Sequence, residues 1–372
     1  MRAAYFAFDR FPSSKGSAVH IGHMAAELFD RYDGGLLGVL GGGGLPRYQR
    51  EGAVEIARFD ERVPNLIDRA EAYSRWVAHH LEPHLPTMEL VHVRDPWSAL
   101  PVLGHRHKVV YEANGLPSVE LPHTWPQAAP ATVAKLRRLE THCLERADAI
   151  VVPSRVIATA IHKIGINPEK VYLVPNGADP VQATAAPPDA PAHYLVYVGA
   201  LQRWQGLDVL LRAFARLADL PGLSLVICSS VPERRAKLLQ RLAERLGVAE
   251  RVVWRFTLPH HEVAAWLAGA AVSVAPLTAC PRNVDQGCAP LKILESMAAG
   301  TPVVASDLPA VREILGEDGR LVAPDRPAEL ARAIRVLLEY PDAARAMAER
   351  AGRHVPTWAD SRAALARVYE RV

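Results

Sequence analysis

Residues 290–306 read PLKILESMAAGTPVVAS and place a cation and a carboxylate three residues apart on a short predicted helix. Pro290 opens this helix, so the N–H groups of Leu291 and Lys292 lack intrahelical partners. Together with the helix dipole and the Lys292 charge, they form a candidate site for an anion such as a diphosphate. Glu295 shares a face with Lys292, and its carboxylate can accept two hydrogen bonds from the vicinal hydroxyls of a ribose. An ordinary surface ion pair between Lys292 and Glu295 is the alternative that the residues leave open.

The composition is typical of a globular protein with two domains. The chain has 372 residues, more than a single hydrophobic core normally spans, and 49% of them are hydrophobic. Its 43 basic and 40 acidic residues give a formal net charge of +3, and aromatic residues make up 6%. So balanced a charge, with so few aromatic side chains, argues against a nucleic-acid partner.

Three features indicate the cellular compartment. The four cysteines are scattered and none forms a Cys-x-x-Cys pair, which favours a reducing environment. The N-terminal residues MRAAYFAFDRF carry Asp9 and Arg10 too early for a secretory signal. No apolar run approaches the ~18 residues of a membrane-spanning helix. We therefore predict a cytoplasmic protein and leave peripheral membrane contact open.

Apolar strands alternate with amphipathic helices along the whole chain, which predicts α/β domains with parallel sheets. The segment 175–193 is rich in Pro and Ala without a period, which is typical of a linker. Two domains joined in this way place a cleft at the carboxyl ends of their strands. The predicted strands are 3–8, 36–40, 54–58, 90–93, 108–112, 149–152, 171–174, 194–198, 223–228, 251–254, 271–275, 302–305 and 319–322.

The segment 197–214, YVGALQRWQGLDVLLRAF, runs from a strand through a short loop into an amphipathic helix. Gly199 ends the strand and permits close approach of a ligand to the backbone. Arg203 lies in the loop and is a candidate clamp for a diphosphate, because its fork of donors matches phosphate oxygens. A solvated loop arginine is the alternative interpretation.

The N-terminal half offers weaker signals. Gly16 and Ser17 follow the first strand and begin a helix, where a phosphate can meet free N–H groups, although a simple turn capped by Ser17 also explains them. Asn114 follows the strand 108–112 and can hydrogen-bond a sugar hydroxyl but cannot act as a base. Glu112 and Asp95 also lie at strand ends, where capping and loop hydrogen bonds are equally good explanations.

These motifs, with IVVPS at 150–154 and YLVPNGAD at 172–179, resemble the family 4 glycosyltransferases, which are retaining enzymes of the GT-B fold. The resemblance spans nearly the whole chain and is most specific in the C-terminal half. It implies two Rossmann-like parallel-sheet domains facing across a cleft. Residues 1–180 would bind the acceptor, with a C-terminal helix at 357–372 crossing back onto them, and residues 181–356 would bind the nucleotide sugar.

The resemblance also implies an activity and its residues. The chain would be a hexosyltransferase-type enzyme that moves a sugar from a nucleotide-diphosphate sugar, with UDP favoured, to an unidentified acceptor. That acceptor would be a sugar, a lipid-linked molecule or another small molecule, in glycan, polysaccharide or glycoconjugate synthesis. Arg203 and Lys292 would stabilise the departing diphosphate, with Asn114 as a further catalytic-site residue. The donor-binding residues would be Gly16, Ser17, Gly199, Thr257, Leu258, Pro290, Leu291 and Glu295.

The sequence departs from the family pattern at three positions. Ala200 and Gln205 stand where the family has an arginine and a lysine, so Arg203 and Lys292 are the candidate replacements. Gly287 stands where the first glutamate of a Glu-x7-Glu motif contacts the donor sugar. Asp285 or Gln286 takes over that contact in one interpretation, and the contact is lost in the other.

No metal or cofactor is expected. The chain has no Asp-x-Asp motif to anchor a metal-bridged diphosphate, so cations and helix dipoles would neutralise the leaving group. Two rival functions remain at this level. One is a nucleotide-sugar epimerase or hydrolase on the same fold, and the other is a catalytically degenerate binding subunit, which the three departures motivate.

Overall fold

The computed structural model describes residues 1–181 and 186–372, which form two compact units. Unit 1 comprises Met1–Ser13, Ser17–Pro175 and Ala359–Val372, and unit 2 comprises Ser14–Gly16 and Asn176–Trp358. The linker predicted at 175–193 includes residues 182–185, which lie outside the described residues.

Each unit is built on one sheet of mostly parallel strands. The first sheet has the order β3-β4-β2-β1-β5-β6-β7-β8 and the second β11-β10-β9-β12-β13-β14. The strands are β1 (Ala3–Arg10), β2 (Gly35–Leu40), β3 (Tyr48–Glu51), β4 (Val54–Phe59), β5 (Leu90–Val93), β6 (Lys108–Glu112), β7 (Ala149–Val152), β8 (Val171–Leu173), β9 (Tyr194–Gly199), β10 (Ser224–Ser229), β11 (Val252–Phe256), β12 (Val272–Ala275), β13 (Val303–Ser306) and β14 (Arg320–Val322).

The helices alternate with these strands, as the apolar periodicity predicts. They are α1 (Gly16–Arg31), α2 (Leu66–Leu81), α3 (Pro96–Ala99), α4 (Pro117–Thr124), α5 (Pro130–Arg146), α6 (Arg155–Lys163), α7 (Leu207–Ala215), α8 (Lys237–Arg245), α9 (His260–Ala268), α10 (Leu291–Ala298), α11 (Pro309–Leu315), α12 (Pro327–Glu339), α13 (Pro341–Arg353) and α14 (Trp358–Tyr369). The prediction of α/β domains with parallel sheets is therefore confirmed.

Strand prediction succeeded where both faces are buried. All four residues of β5 and all four of β7 are buried, as expected for the centre of a parallel sheet, which produces continuous apolar runs in the sequence. The strand that the sequence does not reveal is β3, which pairs antiparallel with β4 at the sheet edge. Its residues read YQRE and are mostly exposed, so it carries no apolar signal.

The last helix belongs to unit 1. The hydroxyl oxygen of Tyr369 on α14 lies 2.7 Å from Nδ1 of the buried His92 on β5, which is hydrogen-bonding distance. Ser361 donates a hydrogen bond of 2.7 Å to the Pro175 carbonyl oxygen, and Arg362 reaches Glu27 of α1 at 3.1 Å. These contacts tie the C-terminal helix to the N-terminal sheet and to its first helix.

Candidate functional site

The second sheet reverses its strand order between β9 and β12. From β9 the order runs outward through β10 and β11 on one side and through β12, β13 and β14 on the other, and all pairs are parallel. In open α/β sheets such a reversal point opens a crevice at the carboxyl ends of the strands, where ligands bind. In unit 2 this position lies beyond Gly199 and Ala275, the last residues of β9 and β12.

Two glycines shape the loop that leaves β9. Gly206 has φ of +72°, and a Cβ there would lie 1.8 Å from the carbonyl oxygen of Pro276, just beyond β12. Gly199 has φ of +134°, and a Cβ there would lie 2.8 Å from Lys292 Nζ. Gly206 therefore allows close contact with the neighbouring strand end, and Gly199 makes room for the Lys292 side chain.

Lys292 brings its amine to this reversal point from the first turn of α10. Its Nζ donates to the Tyr197 hydroxyl oxygen at 3.0 Å and to Gln205 Oε1 at 2.6 Å. The amine also lies 4.2 Å from the centre of the Tyr197 ring, within the range of a cation–π interaction. Burial lowers the pKa of Lys292 to about 7. Within residues 1–181 and 186–372, no carboxylate lies within ion-pair distance of this amine.

Glu295, one turn further along α10, pairs with a different element. Its Oε1 accepts a hydrogen bond of 3.0 Å from His260 Nε2 at the start of α9, and this bond raises the pKa of His260. The alternative of a Lys292–Glu295 ion pair is therefore wrong. The helix also begins at Leu291, with Pro290 as its N-cap, one residue later than expected.

The remaining predicted donor residues of unit 2 are spread around this point. Arg203 is exposed and begins a short 3₁₀ turn, Arg203–Gln205. Thr257 has φ of +54°, a left-handed conformation that a β-branched residue rarely adopts and that is often found at functional sites. Leu258 follows it and is partly buried.

The segment before α10 holds the two candidates for a sugar contact. Gln286 is buried and its amide donates to the Gly287 carbonyl oxygen at 3.3 Å, whereas Asp285 is exposed. Gly287 has φ of +76°, so a glutamate at this position would require a strained backbone. The departure at Gly287 thus coincides with a left-handed backbone conformation that favours glycine.

Glu112, at the end of β6 in unit 1, is a buried carboxylate surrounded by donors. Oε1 accepts from Arg94 Nε at 2.6 Å and lies 3.2 Å from His20 Nδ1, while Oε2 accepts from the Tyr5 hydroxyl at 2.8 Å and from His92 Nε2 at 3.1 Å. Burial alone would raise the pKa of Glu112, but the neighbouring His20 and Arg94 hold it well below its usual range.

This carboxylate fixes the predicted sugar contact in unit 1. Asn114 donates its side-chain amide to Glu112 Oε1, and since an ionised carboxylate cannot donate, the amide nitrogen must face it. Oδ1 of Asn114 is then the atom that can accept a bond from a ligand. Gly16 and Ser17 begin α1, as predicted. Asp95 accepts from the Ser98 N–H at 2.8 Å and caps α3, as the capping explanation requires.

Sequence reasoning missed the partners that hold these groups. Tyr197, His260 and the donors around Glu112 are separated from the groups they bind by many residues, and only the fold brings them together. One local signal was present. Tyr197 and Gly199 are two residues apart on one strand, so they share a face, which indicates an aromatic wall beside the glycine gap.

Both halves of the chain match glycosyltransferase sequence profiles. Residues 14–182 match the profile described as "Glycosyltransferase Family 4", and residues 192–340 match "Glycosyl transferases group 1". The chain belongs to the family 4 glycosyltransferases. Among its relatives in this family, the D-inositol 3-phosphate glycosyltransferase of Thermobispora bispora is 30% identical over 287 residues, which cover 68% of this chain and 65% of the relative.

A second family relative is the alpha-maltose-1-phosphate synthase of Mycolicibacterium smegmatis, 29% identical over 279 residues, which cover 65% of this chain and 68% of the relative. The D-inositol 3-phosphate glycosyltransferase 1 of Catenulispora acidiphila is 31% identical over 232 residues, or 60% of this chain. The match spans only 53% of that relative's length and 65% of the Thermobispora relative's.

Solved structures confirm the GT-B fold. Sucrose-phosphate synthase from Thermosynechococcus elongatus superimposes with a TM-score of 0.79 at 16% identity, covering 100% of this chain and 99% of that one. The Anabaena protein HepE, solved in complex with UDP-glucose, gives a TM-score of 0.76 at 17% identity and covers 100% of both chains.

The described residues offer neither a cluster of metal ligands nor a membrane-spanning helix. Across the described ranges 1–181 and 186–372, no three His, Cys, Asp or Glu side chains gather closely enough to hold a metal ion. In the same part of the chain, every helix is too short or too polar to cross a lipid bilayer.

The space above Gly199 yields a stability prediction. Gly199→Ala forces an L-residue into φ of +134° and puts its Cβ 2.8 Å from Lys292 Nζ, so we expect a loss of about 1–3 kcal/mol in the free energy of unfolding. Gly222→Ala is the matched control, because a Cβ at Gly222 meets no atom within 4 Å. Denaturant unfolding of both variants measures the difference, and equal stability would show that the Gly199 gap is not needed.

Proposed function

We propose that the chain is a glycosyltransferase that takes its sugar from a nucleotide-diphosphate sugar, with a UDP-sugar favoured. The observation that carries this proposal is the amine of Lys292, held at the strand-order reversal of unit 2 without a carboxylate partner among the described residues. A partly buried amine with only neutral partners lacks a counter-ion when it is protonated, and a diphosphate supplies one. Family membership and the UDP-glucose complex of HepE support the same donor class.

In this proposal each part of the nucleotide sugar, namely the diphosphate, the ribose and the base, is bound by particular residues of unit 2. The first N–H groups of α10 and Lys292 receive the diphosphate, with exposed Arg203 as a second cation from the loop after β9. Glu295 accepts a ribose hydroxyl, for which Oε2 remains while Oε1 is bonded to His260. Thr257 and Leu258 lie on the loop that leads into α9 and would contact the base. No metal takes part.

We further propose that transfer proceeds with retention and that neither Glu112 nor Asn114 acts as a base. A general base works best with a pKa near the operating pH. The pKa of Glu112 is held far below that range, and the amide of Asn114 cannot take a proton. The leaving phosphate would then accept the proton of the acceptor hydroxyl. The acceptor is unidentified, and phosphorylated sugars and polyols are the first class to screen, because the names of several relatives contain one.

A donor screen tests the activity. UDP-glucose, GDP-mannose, ADP-glucose and dTDP-glucose are each added in a thermal-shift assay, and we expect at least one, UDP-glucose first, to raise the melting temperature, since a bound ligand stabilises the folded state. The stabilising donor is then incubated with candidate acceptors and followed by NMR. A new glycoside that keeps the anomeric configuration supports the proposal.

Other outcomes of this screen point elsewhere. Release of free sugar or epimerisation without an acceptor would favour a hydrolase or epimerase. Stabilisation by a donor without any turnover would favour a binding subunit. Failure of all four donors to shift the melting temperature would contradict the proposed donor class.

The ribose role of Glu295 gives a sharper prediction. UDP should bind wild type about 10- to 150-fold more tightly than 2′,3′-dideoxy-UDP, because a hydrogen bond to a charged group contributes roughly 1.5–3 kcal/mol. Glu295→Ala should remove this preference and leave dideoxy-UDP affinity nearly unchanged, as measured by calorimetry. Glu349→Ala, an exposed glutamate on α13, is the control. A preference that survives in Glu295→Ala would rule out the ribose contact.

A further inference from the structure

The partners of Lys292 form a directed network. The Tyr197 hydroxyl donates its own hydrogen to the Ala200 carbonyl oxygen at 2.6 Å, so its oxygen is left to accept from Lys292 Nζ at 3.0 Å. Gln205 Oε1 accepts from the same amine at 2.6 Å. Both partners are neutral oxygen acceptors, and both lie on the segment from β9 through the following loop.

This arrangement suits a neutral amine. A neutral amine has two N–H bonds and one lone pair, and the two N–H groups are engaged by Tyr197 and Gln205. Protonation adds a third N–H in place of the lone pair. The third donor is then the group available to a phosphate oxygen, while the two existing bonds fix where the nitrogen lies.

Several groups around the amine influence its pKa. Burial has the largest effect and lowers this pKa. Cys288 and Glu295 favour the protonated form, whereas Arg282 opposes it. Tyr197, on β9, meets the amine with its neutral ring and hydroxyl, since burial raises the pKa of that phenol well above its usual range. Glu295 is itself bonded to His260.

We propose that Tyr197 and Gln205 are positioning residues that hold the Lys292 amine over Gly199, and that donor binding is coupled to uptake of one proton at this amine. The inference rests on the proposed function, because the diphosphate is the anion that draws the proton. The lone pair of Nζ takes a proton from the buffer, one N–H bond forms, and the ammonium pairs with a phosphate oxygen. No other bond changes.

The position of Gln205 supports this assignment. Gln205 stands where the family pattern has a lysine, and its side-chain oxygen is in contact with the Lys292 amine. A lysine at position 205 would bring two ammonium groups together, and a glutamate would neutralise the amine in advance. A neutral amide at this place anchors the amine without cancelling the charge that it acquires.

The test is calorimetry of donor binding in two buffers that differ in ionisation enthalpy. The probe is UDP-glucose, whose diphosphate does not titrate between pH 6 and 9, or the one of GDP-mannose, ADP-glucose and dTDP-glucose that stabilises wild type most. Because burial lowers the pKa of Lys292 to about 7, we expect uptake of most of one proton per donor at pH 8 and clearly less at pH 6.5. Lys292→Met should abolish this uptake, which separates it from titration of His260.

Gln205→Glu is the decisive variant because it keeps the shape of the side chain. It places a carboxylate where Oε1 now lies 2.6 Å from Nζ, so the amine is already protonated before the donor arrives. We expect the uptake at pH 8 to disappear and the affinity to fall about 10-fold. Gln202→Glu is the matched control, since it adds the same charge to the same loop on an exposed residue and should keep the uptake. Tyr197→Phe keeps the ring, and we expect it to keep the uptake but lose several-fold in affinity.

Four results would overturn the inference. Proton uptake that is unchanged in Gln205→Glu would overturn the inference even if affinity falls, and so would wild-type affinity in both Gln205→Glu and Tyr197→Phe. Binding by wild type without any uptake at pH 8 would also overturn it while leaving the proposed function intact. Failure of wild type to bind any of the four donors would overturn the proposed function, and the inference with it.

Discussion

One amine without a carboxylate partner among the described residues, Lys292 Nζ, explains the local arrangement of unit 2. Protonation of a partly buried amine is costly unless other groups compensate the charge, and here the compensation comes only from a hydroxyl, an amide oxygen and an aromatic ring. Gly199 must lack a side chain to leave room for the amine, and Gly206 must bring the loop against the neighbouring strand end. These features meet at the strand-order reversal, where an α/β sheet most readily accepts a ligand.

The buried carboxylate of unit 1, Glu112, is in contrast fully hydrogen-bonded within the protein. Glu112 accepts hydrogen bonds from Tyr5, His92, Arg94 and Asn114, and its pKa is held well below the usual range. A carboxylate so fully engaged serves structure, because it connects β6 to Tyr5 of β1 and to His92 of β5. Burial lowers the pKa of His92, and this histidine links Glu112 to Tyr369 on the last helix. The fully hydrogen-bonded Glu112 carboxylate thus stabilises unit 1, whereas the Lys292 amine of unit 2 has no carboxylate partner among the described residues and can bind an anion once it is protonated.

The sequence predicted the parts that depend on local patterns. Buried parallel strands gave continuous apolar runs, so their positions were found to within about two residues, whereas the polar edge strand β3 gave no such run. Lys292 and Glu295 became candidates because their helical spacing and their charges are visible within four residues of sequence. Their partners were not found, since Tyr197 and His260 lie 95 and 35 residues away. For the same reason the Lys292–Glu295 ion pair looked reasonable, although each side chain has another neighbour in the fold. The sequence showed that Gln205 stands where the family has a lysine, but its contact with the Lys292 amine is visible only in the structure.

The measurement that tests this account most directly is a crystal structure of the chain with its stabilising nucleotide sugar, UDP-glucose first. The account predicts a diphosphate oxygen within hydrogen-bonding distance of Lys292 Nζ, roughly 2.7–3.2 Å, at the carboxyl end of β9, with the bonds to Tyr197 and Gln205 retained. An ordered diphosphate elsewhere in the molecule, with the Lys292 amine still bonded only to Tyr197 and Gln205, would contradict it.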